Sequence, residues 1–289
     1  MKITKKKIVV FYHDGCSDGF GAAWAAWKKF GARAEYVGTY HNDDPKIAMK
    51  GKGVYLVDLC FRPEVIAKIK KVATSITIID HHKSSANWVQ LATTPVFDLK
   101  HSGAVLSWMF FHPKVKVPSL LLTIEDIDIW NWKRKFTDEI IEYSSLVPME
   151  FKLWSAFAKK LDDPKQKREV VRMGKILVQD REMRVRKLVG IGAEGMIDGH
   201  KALIVNSPVT IDHTAKRIYE GLTGKPESKH NVAIIWSRRP DKFTVSLRSN
   251  DKVDVSLIAK KYNGGGHPRA AAFTLPITDF KTIESFYKN

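Results

Sequence analysis

Between residues 7 and 80 the chain switches repeatedly between two hydrophobic periods, and three of its short apolar runs close on a histidine or an aspartate. Lys7–His13 (KIVVFYH) is β-branched and aromatic and predicts a buried strand. Asp18–Phe30, rich in Ala and Trp, predicts a helix, and Ala34–His41 a second strand. Val54–Asp58 predicts another strand, Pro63–Val72 a helix with proline in its first turn, and Ile76–Asp80 a further strand. Strands alternating with helices call for an α/β fold, a parallel sheet with helices on both faces. Ligands of such sheets bind beyond the carboxyl ends of the strands. His13, Asp58 and Asp80 fall at such ends.

Beyond this region the pattern changes. His101 to about Trp132 reads as helical, and Lys165 to about Val189 as a densely basic helix after the break Leu161-Asp-Asp-Pro164. Ala202–Asn206, Val232–Trp236 and Phe243–Arg248 predict strands, and Ser256–Tyr262 a short helix entering Asn263-Gly-Gly-Gly-His267. There is no internal repeat. The expected organisation is a catalytic domain over 1–160, a basic helical linker over 161–190 and a smaller α/β domain over 191–289. A length of 289 residues suits two domains at about 100–200 residues each.

Composition narrows the partner. Lys+Arg number 48 against 31 Asp+Glu, a formal charge of +17, which favours a polyanion such as nucleic acid or a phosphorylated metabolite. No apolar run approaches the roughly 18–20 residues that span a bilayer, so no membrane is expected. The basic start lacks the apolar length and cleavage site of a signal peptide. Two cysteines, Cys16 and Cys60, cannot build a disulfide framework and point to a reducing, cytoplasmic setting.

His13, Asp18, Asp58, Asp80, His81, His82, Asp126 and Asp128 gather in the first half, mostly just after apolar runs. Carboxylates with imidazoles suit Mn²⁺, Fe²⁺, Zn²⁺ or Co²⁺. Two such ions about 3.5–4 Å apart activate a water and neutralise a phosphoryl group. Asp18 taken alone reads equally as a helix cap. Ser102-Gly-Ala104 opens a helix and could present N–H groups to an anion or simply cap. Trp24, Trp27, Trp130 and Trp132 read as core, and His41 and His101 take no role.

Four motifs in order carry a family resemblance. Asp80-His81-His82 after Ile76-Thr-Ile-Ile resembles the signature of the DHH phosphoesterases. Gly264-Gly-Gly-His267 followed by Pro-Arg-Ala-Ala-Ala-Phe273, and Phe243-Thr-Val-Ser-Leu-Arg-Ser249, resemble motifs of the DHH-associated domain. Tyr12-His-Asp-Gly-Cys-Ser-Asp-Gly resembles the first DHH motif, with Cys16 standing where an aspartate is usual. The superfamily includes RecJ-type exonucleases, nanoRNases, cyclic-dinucleotide phosphodiesterases and pyrophosphatases.

The resemblance implies two divalent ions, manganese first, with zinc, iron or cobalt if Cys16 is a ligand. Carried over, His13, Cys16, Asp18, Asp58, His81 and Asp126 are the metal ligands, with Asp58 bridging and Asp128 the alternative to Asp126. His82 would contact the scissile phosphate or protonate the leaving oxygen, with Asp80 orienting an imidazole. Gly264, Gly265, Gly266, His267, Arg269 and Arg248 would bind substrate from the second domain across a cleft. The implied activity is a phosphodiesterase acting by a metal-bound hydroxide on short single-stranded RNA or DNA, or on dinucleotides, as a monomer or homodimer. A catalytically weakened nucleic-acid-binding protein of the same fold is the competing expectation.

Overall fold

The computed structural model describes residues 6–40, 43–129, 131–209, 230–249 and 252–287, with the backbone alone for His267. His41 and Trp130, assigned no role and a core role from the sequence, lie outside these residues. The chain forms two compact units, Met1–Val178 and Gln179–Asn289. The division falls inside the basic helix expected as a linker.

The first unit is built on β1 (Ile8–His13), β2 (Ala34–Thr39), β3 (Gly53–Val57), β4 (Ser75–Asp80) and β5 (Thr94–Phe97), in the order β2-β1-β3-β4-β5. Every pair is parallel. Helices α1 (Ser17–Phe30), α2 (Pro63–Val72), α3 (Ala86–Val89), α4 (Gly103–Phe111), α5 (Ser119–Asp128), α6 (Thr137–Ser144) and α7 (Phe151–Asp162) follow in chain order. The helical stretch expected from His101 to Trp132 is thus two helices, separated by a segment ending in Pro118, whose ring precedes α5.

Both sheet faces are covered. Trp24 of α1, Val105 and Trp108 of α4, Leu121 of α5 and Trp154 of α7 pack on one face with Val10, Val57 and Ile79. Val65, Ile66 and Ile69 of α2 pack on the other with Val9, Phe11, Leu56 and Ile78. Trp24 is core, as expected: 2% exposed and stacked on Trp108. Burial on both faces explains why β1, β3 and β4 read as continuous apolar runs.

Helix α8 (Pro164–Gly190) leads into the second unit. There, β6 (Ala193–Ile197), β7 (His200–Asn206), β8 (Val232–Arg238), β9 (Lys242–Ser249), β10 (Gly265–His267) and β11 (Ala270–Pro276) form one sheet, ordered β10-β11-β9-β8-β7-β6. Only β7 and β8 run parallel. Phe243, Val245 and Leu247 of β9 meet Ile258 of α9 (Val255–Lys261) and Ile283 of α10 (Phe280–Ser285) in a separate core. No helix among the described residues is long and apolar enough to cross a membrane.

Candidate metal and phosphoester site

Register builds the site. Tyr12 pairs with Val57 and Val57 with Ile79, so the next residues, His13, Asp58 and Asp80, stand in one row at the carboxyl ends of β1, β3 and β4. The row lies at the switch in strand order between β1 and its two neighbours, where a parallel sheet opens a crevice. Asp58 takes a left-handed backbone (φ 51°), which Asp and Asn tolerate best among non-glycine residues. It is 1% exposed.

Asp58 faces two donor groups. Its Oδ2 is 3.6 Å from His13 Nδ1 and 3.8 Å from Cys16 Sγ. Its Oδ1 is 3.3 Å from His81 Nε2 and 3.9 Å from His82 Nδ1. His81 Nε2 also lies 3.8 Å from Asp18 Oδ2 and 3.4 Å from Asp128 Oδ2. The donors of His13, Cys16 and Asp58 lie within 4.8 Å of one another, as do those of Asp18, His81 and Asp128. Asp58 Oδ1 and His81 Nε2 are buried and have no hydrogen-bond partner among the described residues. Buried polar atoms are almost always paired. Two that face each other unpaired, among carboxylates, fit a cation between them.

Asp126, the last ligand expected from the sequence, is not brought into this cluster. Its carboxylate accepts from the backbone N–H groups of Lys133 (2.9 Å) and Arg134 (3.0 Å) and from the Thr137 hydroxyl (2.6 Å). It pins the chain after α5 and is only 3% exposed. Asp128, the alternative, reaches His81 instead.

The helix start that could offer N–H groups to an anion or simply be capped does both: Ser102 caps it by accepting from Val105 N, and its free N–H groups turn to a carboxylate of the chain itself. Gly103 N and Ala104 N, at the start of α4, donate to the Asp18 carboxylate at 2.7 and 3.1 Å. Any Cβ at Gly103 would meet Asp58 at 2.5 Å, so the close approach requires glycine. Asp80, 0% exposed, accepts from His82 Nδ1 at 2.7 Å, from the N–H groups of His81 and His82, and from the Ser85 hydroxyl. Ser85 was invisible to the motif reading. A short polar residue five positions after a strand-end acid is the only signal for it.

The charges are mutually dependent. Burial, and then the neighbouring Asp128 and Asp58, push Asp18 well above the usual carboxylate range. Burial also opposes ionisation of Asp58, but the imidazoles of His13 and His81 outweigh it and hold this carboxyl well below that range. Burial lifts Asp128 to about 6 against the pull of His81, with the Asp58 charge adding to the lift. For His82, burial disfavours the charged ring, yet its bond to Asp80 prevails and pushes it up to about 9.

In the second unit, the glycine run begins the edge strand β10 and is no open turn. Gly265 pairs with Ala272 and Gly266 with Ala271, and Gly264 N donates to Ala259 O at 2.9 Å. Gly266 has φ +142°, and a Cβ there would meet Ala270 O at 2.5 Å. Arg248 stands opposite Ala270, half-buried, with Nη1 donating to Leu247 O at 2.9 Å. Arg269 is exposed. The side chain of His267 lies outside the described residues.

Comparison with known proteins agrees with this architecture. Residues 209–288 match the DHHA1 domain. A protein of Acanthamoeba polyphaga mimivirus, described as uncharacterized, is 28% identical over 287 residues, covering 91% of this chain. This chain spans 66% of that protein's length, just under two thirds. A solved DHH domain assigned to a family of ribosomal proteins is similar with a TM-score of 0.64 at 13% identity, over 97% of this chain and 85% of that one. An exopolyphosphatase-related protein from Bacteroides fragilis gives 0.50 at 14% identity, over 97% and 90%. The fold is similar to that of the solved DHH domain, and residues 209–288 are similar to the DHHA1 domain.

Proposed function

We propose that this chain is a metal-dependent phosphodiesterase that shortens single-stranded oligonucleotides or hydrolyses dinucleotides. The observation that carries this reading is Asp58, shared between two groups of metal-type donors, with Oδ1 buried and unpaired opposite His81 Nε2. His13, Cys16 and Asp58 would hold one divalent ion, and Asp18, Asp58, His81 and Asp128 the other. Bound ions supply Lewis acidity toward a phosphoryl oxygen and acidify a coordinated water.

The protein's own groups do the rest. Asp80 fixes the His82 ring through Nδ1 and would orient it as a proton donor to a leaving oxygen. In the metal-free protein, against burial, the bond to Asp80 pushes this ring up to about 9, and an acid must be protonated before it donates. The N–H groups of Gly103 and Ala104 restrain Asp18, so its carboxylate need not reorganise when a cation arrives. Arg248 and Arg269 would hold substrate phosphates through charge-assisted hydrogen bonds. The +17 charge supports a nucleic-acid substrate.

The test uses end-labelled RNA and DNA oligonucleotides of graded length in Mn²⁺, Zn²⁺ or Mg²⁺, beside Asp58→Asn. Stepwise shortening, lost in the variant, is the expected result, and the length and sugar profile then define the substrate. Oligonucleotides that bind but stay intact in every metal would overturn the reading in favour of a binding protein.

A further inference from the structure

The two donor groups around Asp58 differ in one atom. The second is made entirely of oxygen and imidazole nitrogen: Asp18 Oδ2, His81 Nε2 and Asp128 Oδ2, with Asp58 Oδ1 beside them. The first contains sulfur. Cys16 Sγ lies 3.4 Å from His13 Nδ1 and 3.8 Å from Asp58 Oδ2.

We propose that the pair of metal positions is chemically unlike: a thiolate position of His13, Cys16 and Asp58 that selects zinc or ferrous iron, beside a hard position that takes manganese or magnesium. This rests on the two-metal reading above and deepens it. Three observations carry it. Cys16 is the N-cap of α1, and its sulfur accepts the Gly19 N–H at 3.2 Å, which fixes that atom beside His13 and Asp58. Asp14, two residues before Cys16, is exposed and accepts from Gly15 N at 2.9 Å in its own loop. Asp58, only 1% exposed, has one oxygen toward each group and Oδ1 without a hydrogen-bond partner, so a cation on either side meets a donor already aimed. Soft thiolate ligands select zinc and iron, whereas carboxylates suit manganese and magnesium. One centre built this way sorts two ions by their chemistry.

The experiment titrates the metal-free full-length protein with Co²⁺. Sulfur bonded to cobalt gives an intense near-ultraviolet charge-transfer absorption that oxygen and nitrogen ligands do not. The wild type is expected to bind two equivalents, with the absorption growing during only one of them. Cys16→Asp should still bind two equivalents with the absorption lost, and Cys60→Ser should keep it. Dialysis against mixed Zn²⁺ and Mn²⁺ should leave about one of each ion per wild-type chain and erase that preference in Cys16→Asp. Cys16→Ser, with circular dichroism, separates a lost ligand from a lost fold. Two cobalt ions without the absorption, or an absorption that disappears with Cys60 instead, would overturn the unlike pair and leave the two-metal reading standing. Less than one cobalt ion per chain in every folded variant would overturn both.

Discussion

In the first unit Asp18, Asp58 and Asp80 are at most 2% exposed, whereas in the second Arg248 is half-buried and Arg269 and Gly265 are exposed. Sheet architecture accounts for the difference. A parallel sheet covered on both faces leaves only its strand ends for polar groups. Charges placed there are desolvated and must be held by one another and by helix N–H groups. In the mixed sheet, β9 alternates Phe243, Val245 and Leu247 toward the core with Thr244, Ser246 and Arg248 on the other side. A polar residue on that other side can be removed without opening the core. The same chemistry, binding to phosphate or cation, is therefore expected to be fragile in one unit and adjustable in the other.

The largest effect should come from Asp58→Asn. Asparagine also tolerates the left-handed backbone there, so the variant should fold like the wild type while metal stoichiometry falls below two and turnover is lost. A variant holding two ions with full activity would break the comparison. Next come the two neighbouring aspartates. Asp128→Asn should weaken metal binding with little change in unfolding, while Asp126→Asn should keep the metal and lose about 1–3 kcal/mol of stability by weakening three hydrogen bonds. Calorimetry and metal analysis of the pair would expose a reversed assignment. Asp80→Asn, which loosens the His82 ring and the backbone N–H of His81 together, should lower kcat roughly 10–100-fold.

In the second unit Arg248→Ala should raise KM for an oligonucleotide, by about tenfold, and leave kcat unchanged, the mark of uniform binding. A fall in kcat instead would show that this face acts on the reaction and not only on binding. The smallest effect concerns pH. The folded pKa of His82, about 9, exceeds the ordinary value of 6.5, so its pairing with Asp80 stabilises fully below pH 6.5 and fades as pH rises through about 9. Urea midpoints of the metal-free protein should fall over that interval, and less so in His82→Gln.

The strand-end row was legible in the sequence because β1, β3 and β4 are short apolar runs with a polar residue at the carboxyl end. The choice between Asp126 and Asp128 was not. Residues two apart on a helix point about 200° apart, and only the return of Lys133 and Arg134 over α5 decides which carboxylate is tied to the backbone and which reaches His81. Strands β5 and β6 escaped notice because edge strands carry weak patterns: Thr94–Phe97 includes a proline and Ala193–Ile197 a glycine. The strand identity of the glycine run comes from pairing with β11, a long-range contact that local propensity does not encode.

The crowding of Asp18, Asp58 and Asp128 around His81 has a consequence outside chemistry. Folding gathers like charges that the unfolded chain keeps apart, and a cation bound only by the folded form relieves them. Such a ligand at a hundredfold excess over its Kd adds about 2.7 kcal/mol to stability. The melting temperature therefore works as a ruler of ion supply. In a cell short of the right ions, the chain would sit closer to unfolding and be among the first cleared by proteolysis.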